Sequence, residues 1–265
     1  MQDLNVLLVQ CELAWEKPAD NRNQLQDIIR DRGPEADVVV LPEMFTTGFS
    51  MNAVANAEAP GGETEAWLQR LASDTDSAIT GSIAVQGDGG VYNRMLFATP
   101  DSVQHYDKRH LFRMAGEHKR YLPGGQRIIV DWRGWRVLLQ VCYDLRFPVF
   151  SRNREDYDLA IYVANWPALR RIHWRQLLVA RAIENLACVI GVNRVGADAK
   201  GLEYSGDSLA IAGDGGLLAD LGDQPEARLV TLDAAALEEY RGNFPCHLDA
   251  DDFRLLDDAD ASPAQ

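Results

Sequence analysis

Three almost unbroken apolar runs set the tightest limit on how this chain can fold: WRVLLQV (135–141), DLAIYVA (158–164) and LACVIGV (186–192). A strand with one wet face alternates apolar and polar residues, whereas continuous runs suit strands covered on both faces. Between the second and third run, residues 169–185 lack Gly and Pro and read as a helix. Upstream, LNVLLVQ (4–10) and DVVVLP (37–42) bracket a stretch in which Leu25, Ile28 and Ile29 share a helical face. Residues 77–85, 92–99 and 103–106 predict a meander of strands, and SLAIAG (208–213) and RLVTL (228–232) close the series. The expectation is an α/β chain with one large sheet, or two sheets packed together, and helices outside.

No repeat or flexible linker divides the 265 residues, so one domain is expected over 1–248. The remainder, 249–265, carries six aspartates and one arginine. It reads as an acidic tail, either solvated or strapped onto a neighbour. At 46% hydrophobic residues the chain buries a core without disulfide or metal staples. Its four cysteines, Cys11, Cys142, Cys188 and Cys246, form no CxxC pair and no zinc-ribbon spacing. No metal is therefore expected, and a reducing compartment, the cytoplasm, is favoured. The N-terminal segment MQDLNVLLVQCELAW reads as a first strand rather than a signal peptide, and no apolar stretch approaches the ~20 residues of a membrane helix. A net charge of −14 argues against a nucleic-acid partner, whose phosphates would be repelled.

Chemistry-bearing residues gather where the expected strands end, which is where open α/β sheets place functional groups. DVVVLP runs into Glu43, WRVLLQV into Cys142, DLAIYVA into Asn165, and Lys108 follows the short strand at 103–106. Taken singly, each has an ordinary reading: a helix cap, a buried structural thiol, a turn residue, a surface lysine. Taken together they form a thiol, a carboxylate and an amine at matching positions of one fold. A free thiol must lose its proton to attack. A carboxylate in a dry pocket takes that proton and later returns it to a leaving amine. A fixed cation stabilises the oxyanion that forms, helped by a backbone N–H beyond the nucleophile. Burial beside the amine is also expected to favour the Cys142 thiolate. The competing cysteine–histidine reading is weaker, because none of the five histidines sits at a strand end with an orienting partner.

These residues resemble the nitrilase superfamily of carbon–nitrogen hydrolases. VVVLPEMFTTGF (38–49), YDKRHLF (106–112) and QVCYDLRFP (140–148) carry the resemblance, with RAIEN (181–185) and SGDS (205–208) beside them, in the family's order. The resemblance implies a single-domain αββα sandwich that pairs into a homodimer. It implies Glu43 as general base, Lys108 as oxyanion stabiliser, Cys142 as nucleophile forming a thioester, and no cofactor. In GEHKRYLPG (116–124), Glu117 takes the place of a second glutamate that positions the lysine or the substrate; the alternative is an ordinary charged loop residue. The Tyr143 N–H is implied as the second oxyanion donor.

Within the superfamily, DKRHLFRMAGEHKRY (107–121) is most similar to the bacterial omega-amidase branch, which deamidates 2-oxoglutaramate and 2-oxosuccinamate. Those substrates are small anions ending in a primary amide. Residues 107–121 hold Lys108, Arg109, Arg113, Lys119 and Arg120 against Asp107 and Glu117, a positive patch on an acidic chain. Arg146 is read either as a fork for the substrate carboxylate or as a structural ion-pair partner of Asp144 or a distant acid. Phe45, Tyr143 and Trp166 are expected to wall the pocket, the alternative being core packing. Arg181 and Glu184, one turn apart, pair locally or across an interface. The rival functions are an N-carbamoyl amino-acid hydrolase or aliphatic amidase of the same superfamily, and a binding or scaffold relative without turnover.

Overall fold

The computed structural model describes residues 1–255, so residues 256–265 of the expected acidic tail lie outside the described residues. The first half of the chain forms β1 (Leu4–Gln10), α1 (Pro18–Arg32), β2 (Val38–Val40), α2 (Ala53–Asn56), α3 (Glu63–Thr75), β3 (Ala78–Gly87), β4 (Gly90–Ala98) and β5 (Val103–Asp107). The centre adds β6 (Ile129–Trp132), β7 (Trp135–Val141), α4 (Pro148–Ser151), β8 (Leu159–Ala164), α5 (Arg171–Asn185) and β9 (Cys188–Asn193). The last part holds a hairpin of β10 (Val195–Ala197) and β11 (Glu203–Ser205), then β12 (Leu209–Ile211), β13 (Leu217–Asp220), β14 (Glu226–Leu232) and α6 (Ala234–Asn243).

Two six-stranded sheets result, in the orders β14-β1-β2-β3-β4-β5 and β13-β12-β9-β8-β7-β6. β1, β2 and β3 run parallel in the first, and β7, β8 and β9 run parallel in the second. The expected meander is present as the antiparallel series β3–β4–β5.

Alternation along each strand builds the layers. Leu4, Val6, Leu8, Val38 and Val40 face Val137, Leu139, Val141, Ile161 and Ile190 between the sheets. The opposite faces take the residues in between. Leu7, Val9 and Val39 pack with Leu25 and Ile29 of α1 and Leu68 and Leu71 of α3. Leu138, Tyr162 and Val189 pack with Trp174, Leu178 and Ala182 of α5. This is why the central runs are apolar throughout: both faces are covered, and each large side chain contributes about 1.5–3 kcal/mol by leaving water. The architecture is the expected four-layer αββα sandwich. Two sheets, not one large sheet, carry it.

Several elements escaped the sequence reading. α3 and α6 were not expected, nor were β6, β10, β11 and β13, which have only three or four residues and exist through their pairing. The helix expected over 169–185 begins at Arg171, after a 3₁₀ turn at Ala168–Arg170. The described part of the tail is a strap on its own chain. Arg154 lies 4.4 Å over the Phe253 ring, and Leu255 packs against the inter-sheet core. No helix among the described residues is long and apolar enough to cross a membrane.

Candidate active site

The carboxyl ends of the parallel strands in both sheets converge on one end of the sandwich. β2 leads through Leu41 and Pro42 to Glu43, on a turn held by Met44 and Phe45 N–H donations to the Ser82 hydroxyl and carbonyl of β3. β5 leads directly to Lys108, whose N–H donates to the Asn93 carbonyl of β4. β7 leads to Cys142, which sits at φ +45° as the chain turns into a 3₁₀ helix (Cys142–Arg146). A non-glycine residue in that region is strained and needs surrounding structure to hold it. Asp144 supplies it: its fully buried carboxylate accepts from the Val141 N–H (3.0 Å), the Tyr106 hydroxyl (2.8 Å) and the His110 N–H (3.0 Å).

Lys108 is the electrostatic centre. Its Nζ donates to Glu43 Oε1 at 2.8 Å and to both Glu117 oxygens at 3.1 Å, with all three side chains at 0% exposure. Asn93 Nδ2 donates to Glu43 (2.8 Å) and Glu117 (3.3 Å), and the Phe112 N–H donates to Glu117 Oε2 (2.6 Å). From the other sheet, Asn165 closes on Glu43, giving its N–H to Oε2 at 2.8 Å and its side-chain amide to the Glu43 carbonyl. Burial alone would lower the Lys108 pKa. Glu117 and Glu43 outweigh it and raise the ammonium well above the ordinary lysine value. Burial raises Glu117 despite the pull of Lys108.

Cys142 lies against Glu43. Burial, then the Glu43 charge, push its pKa well above the ordinary thiol value, with Lys108 pulling the other way. This runs against the expectation of a thiolate beside the amine: burial and Glu43 both favour the protonated thiol. Cys11 and Cys188 are fully enclosed, where Cys142 is half-buried, and burial takes both to about 12, but neither has a carboxylate–lysine set beside it.

Cys142 and Lys108 open onto a cavity of about 180 Å³, room for a small molecule, walled by Phe49, Phe112, Tyr143, Trp166 and Tyr204. Of the expected residues, Cys142, Lys108, Tyr143, Arg146 and Trp166 line it, while Glu43 and Glu117 sit fully buried beneath them. Phe45 is the exception. It is fully buried in the layer between the first sheet and its helices, 6.1 Å from the Trp67 ring, and does not reach the cavity. The turn that aims Glu43 inward points Phe45 back across β3. Arg146 does not pair with Asp144, whose oxygens are taken; it meets His173 Nδ1 at 3.0 Å and stacks on Trp166 at 4.8 Å. Arg181 and Glu184 pair locally at 2.8 Å. His110 does have an orienting partner, Asp144 at 2.8 Å, contrary to expectation, and braces the turn from behind instead of lining the cavity. Sequence reasoning missed Asn93, Phe49 and Tyr204, mid-strand or loop residues with no pattern to mark them.

A thiol, a carboxyl group and a buried cation meeting at one cavity floor are the parts that attack on a polarised carbonyl needs. That geometry, on an αββα frame, defines the class: the chain belongs to the carbon-nitrogen hydrolase family, matched over residues 5–242. Among its relatives, the omega-amidase YafV of Yersinia enterocolitica is 50% identical, covering 97% of this chain and 100% of that protein. The 2-oxoglutaramate amidase of Bacillus subtilis is 31% identical, covering 89% and 93%. A crystal structure of XC1258 from Xanthomonas campestris, a CN-hydrolase superfamily protein with an arsenic adduct in the active site, has a TM-score of 0.94. It is 48% identical and covers 96% of this chain and 100% of that one.

Proposed function

We propose that the protein is an omega-amidase, releasing ammonia from the terminal amide of small keto-dicarboxylate monoamides such as 2-oxoglutaramate and 2-oxosuccinamate. The likeness to an omega-amidase over the full length of both chains carries the substrate class. The bonded Glu43–Lys108–Glu117 set beside Cys142 supports the chemistry. Glu43 takes the thiol proton as Sγ attacks the amide carbon. The oxyanion is met by Lys108 Nζ and the Tyr143 N–H. The protonated Glu43 then gives its proton to the leaving amine, ammonia departs, and a thioester remains. Water, deprotonated by Glu43, hydrolyses the thioester and restores the thiol, so protons balance over the cycle. Glu117 positions Lys108, and no cofactor enters. Tyr143, Arg146 and Trp166 contact the substrate.

We infer also that it works as a homodimer in the cytoplasm. All four cysteines are unpaired, which supports a reducing compartment. Ile172 and Ile183, about three turns apart on one face of α5, are 63% and 48% exposed and support a partnered surface. Ammonia release from a panel of amides tests the function: 2-oxoglutaramate, 2-oxosuccinamate, succinamate, glutamine, an uncharged aliphatic amide and an N-carbamoyl amino acid. Turnover concentrated on the keto amides and lost in Cys142→Ala is the expected result. Turnover of the neutral amide or the carbamoyl compound instead would overturn the substrate assignment.

A further inference from the structure

Two guanidinium groups line the cavity with no acid to answer them. Arg146 closes the turn that begins at Cys142, and its guanidinium stacks 4.8 Å from the Trp166 ring and 6.0 Å from that of Tyr143. Arg170, in the turn leading into α5, lies 5.3 Å over the Phe112 ring. Neither has a carboxylate partner among the described residues. The contrast with the next arginines is sharp. Arg171 and Arg175 point away from the cavity onto Asp207 and Asp220, at 2.5–2.9 Å.

The wall also carries Asp198 and Lys200, one charge of each sign, which leave the two guanidiniums as its net positive charge. Asp198 is engaged within the β10–β11 hairpin, accepting from the Lys200 N–H (2.8 Å), the Leu202 N–H (3.0 Å) and the Tyr204 hydroxyl (3.2 Å). Lys200 adds a third cation at the mouth. Burial lowers the Arg146 pKa and the Arg170 charge pushes it the same way, so the two cations feel each other. Held on aromatic faces, both forks are oriented in advance for a planar anion.

We propose that Arg146 and Arg170 form a two-guanidinium clamp for the carboxylate at the far end of the substrate, and that Arg170 sets the preference for a keto group over an ammonium beside it. The proposal rests on the amidase reading above and names how that site selects. A 2-oxo acid offers three acceptor oxygens in one plane to two forks. An α-amino acid such as glutamine presents the same carboxylate with an ammonium next to it. That ammonium finds the two guanidiniums and Lys200 on the wall against the single carboxylate of Asp198, which is tied into the hairpin. Like charges set together in this way reject the wrong ligand, here by roughly 10- to 100-fold.

The test compares wild type with Arg170→Gln and Arg170→Lys by two readouts. The first is the ratio of kcat/KM for 2-oxoglutaramate to that for glutamine. The second needs no turnover: protection of Cys142 from iodoacetamide by glutarate, a dicarboxylate without an amide. In Arg170→Gln the ratio should fall at least about tenfold, with the loss carried mainly by KM for the keto amide, and glutarate protection should weaken similarly. Arg170→Lys, which keeps the charge and loses the fork, should fall between. An unchanged ratio together with unchanged protection in Arg170→Gln would overturn the clamp. If the wild type released no ammonia from any keto amide, the amidase reading would fall. Glutarate protection present in wild type and lost in Arg170→Gln would still support the clamp, and its absence in wild type would overturn it.

Discussion

Lys108 keeps a full positive charge at zero exposure because two carboxylates hold it and the Phe49 ring lies 5.1 Å from its Nζ. Removing one member of a buried ion set leaves uncompensated charge, costing about 3–5 kcal/mol. Lys108→Met is therefore expected to lose stability on that scale in denaturant melts, and to lower kcat by about 10²-fold or more through the missing oxyanion donor. A merely structural lysine would give the first effect without the second in the fraction still folded. The thiol makes a separate prediction. Its folded-state pKa is raised, so the proton stays bound through the pH range in which an exposed cysteine ionises, about 8.5. The difference in thiolate absorbance between wild type and Cys142→Ala should therefore show no step near that pH. A step there would mean the thiolate is preformed, and Glu43 would have no proton to take. By linkage, the folded thiol holds its proton where the unfolded one loses it, so Cys142 makes stability fall as pH rises above about 8.5.

At the scale of elements, the site depends on two tight turns. The first carries Glu43 and lies on β3, where Gly81 leaves room for it: an added Cβ would stand 2.8 Å from the Phe45 ring and 2.9 Å from the Leu41 Cβ. Gly81→Ala should cost about 1–3 kcal/mol by overpacking and should reduce kcat by displacing Glu43. A melting temperature equal to wild type would show that the turn can yield. The second turn carries Cys142 at its strained φ, held by Asp144. Asp144→Ala orphans the Val141 and His110 N–H groups and the Tyr106 hydroxyl. Loss of about 3 kcal/mol is expected, along with slower alkylation of Cys142. Both turns were legible as strand ends, because DVVVLP and WRVLLQV stop at residues unlike their runs. What holds them was not. Asp144 read equally well as an ion-pair partner of Arg146, and nothing in the spacing marked Tyr106 and His110 as its donors.

For the whole molecule, the sandwich joins pieces far apart in sequence. Asn165 and Glu43 are tied across the two sheets, and Gln10 in β1 donates to the carbonyls of Gly222 (3.0 Å) and Gln224 (2.7 Å). The end of the described chain adds its own tie through Phe253 and Leu255. A chain ending at 249 should be about 1–2 kcal/mol less stable than one ending at 255, from lost apolar burial and the Arg154 contact. Equal melting of the two would assign those residues no part in the fold. Sedimentation should return a dimer if the exposed stripe on α5 is partnered, and Ile172→Glu with Ile183→Glu should return a monomer.

The sequence by itself determined the α/β class and the need for strands covered on both faces, and it placed Glu43, Lys108 and Cys142 at strand ends; between one large sheet and two it did not choose. These are properties of short windows, where periodicity and residue type suffice. Only the tertiary structure decided which side of a turn each residue faces. Phe45 and Glu43 are two residues apart, yet one enters the helix–sheet core and the other lies beside the thiol. The ionisation of the site was likewise decided in three dimensions. Whether Lys108 makes Cys142 a thiolate depends on burial and on the nearby Glu43 and Glu117 charges, both set by contacts between distant segments.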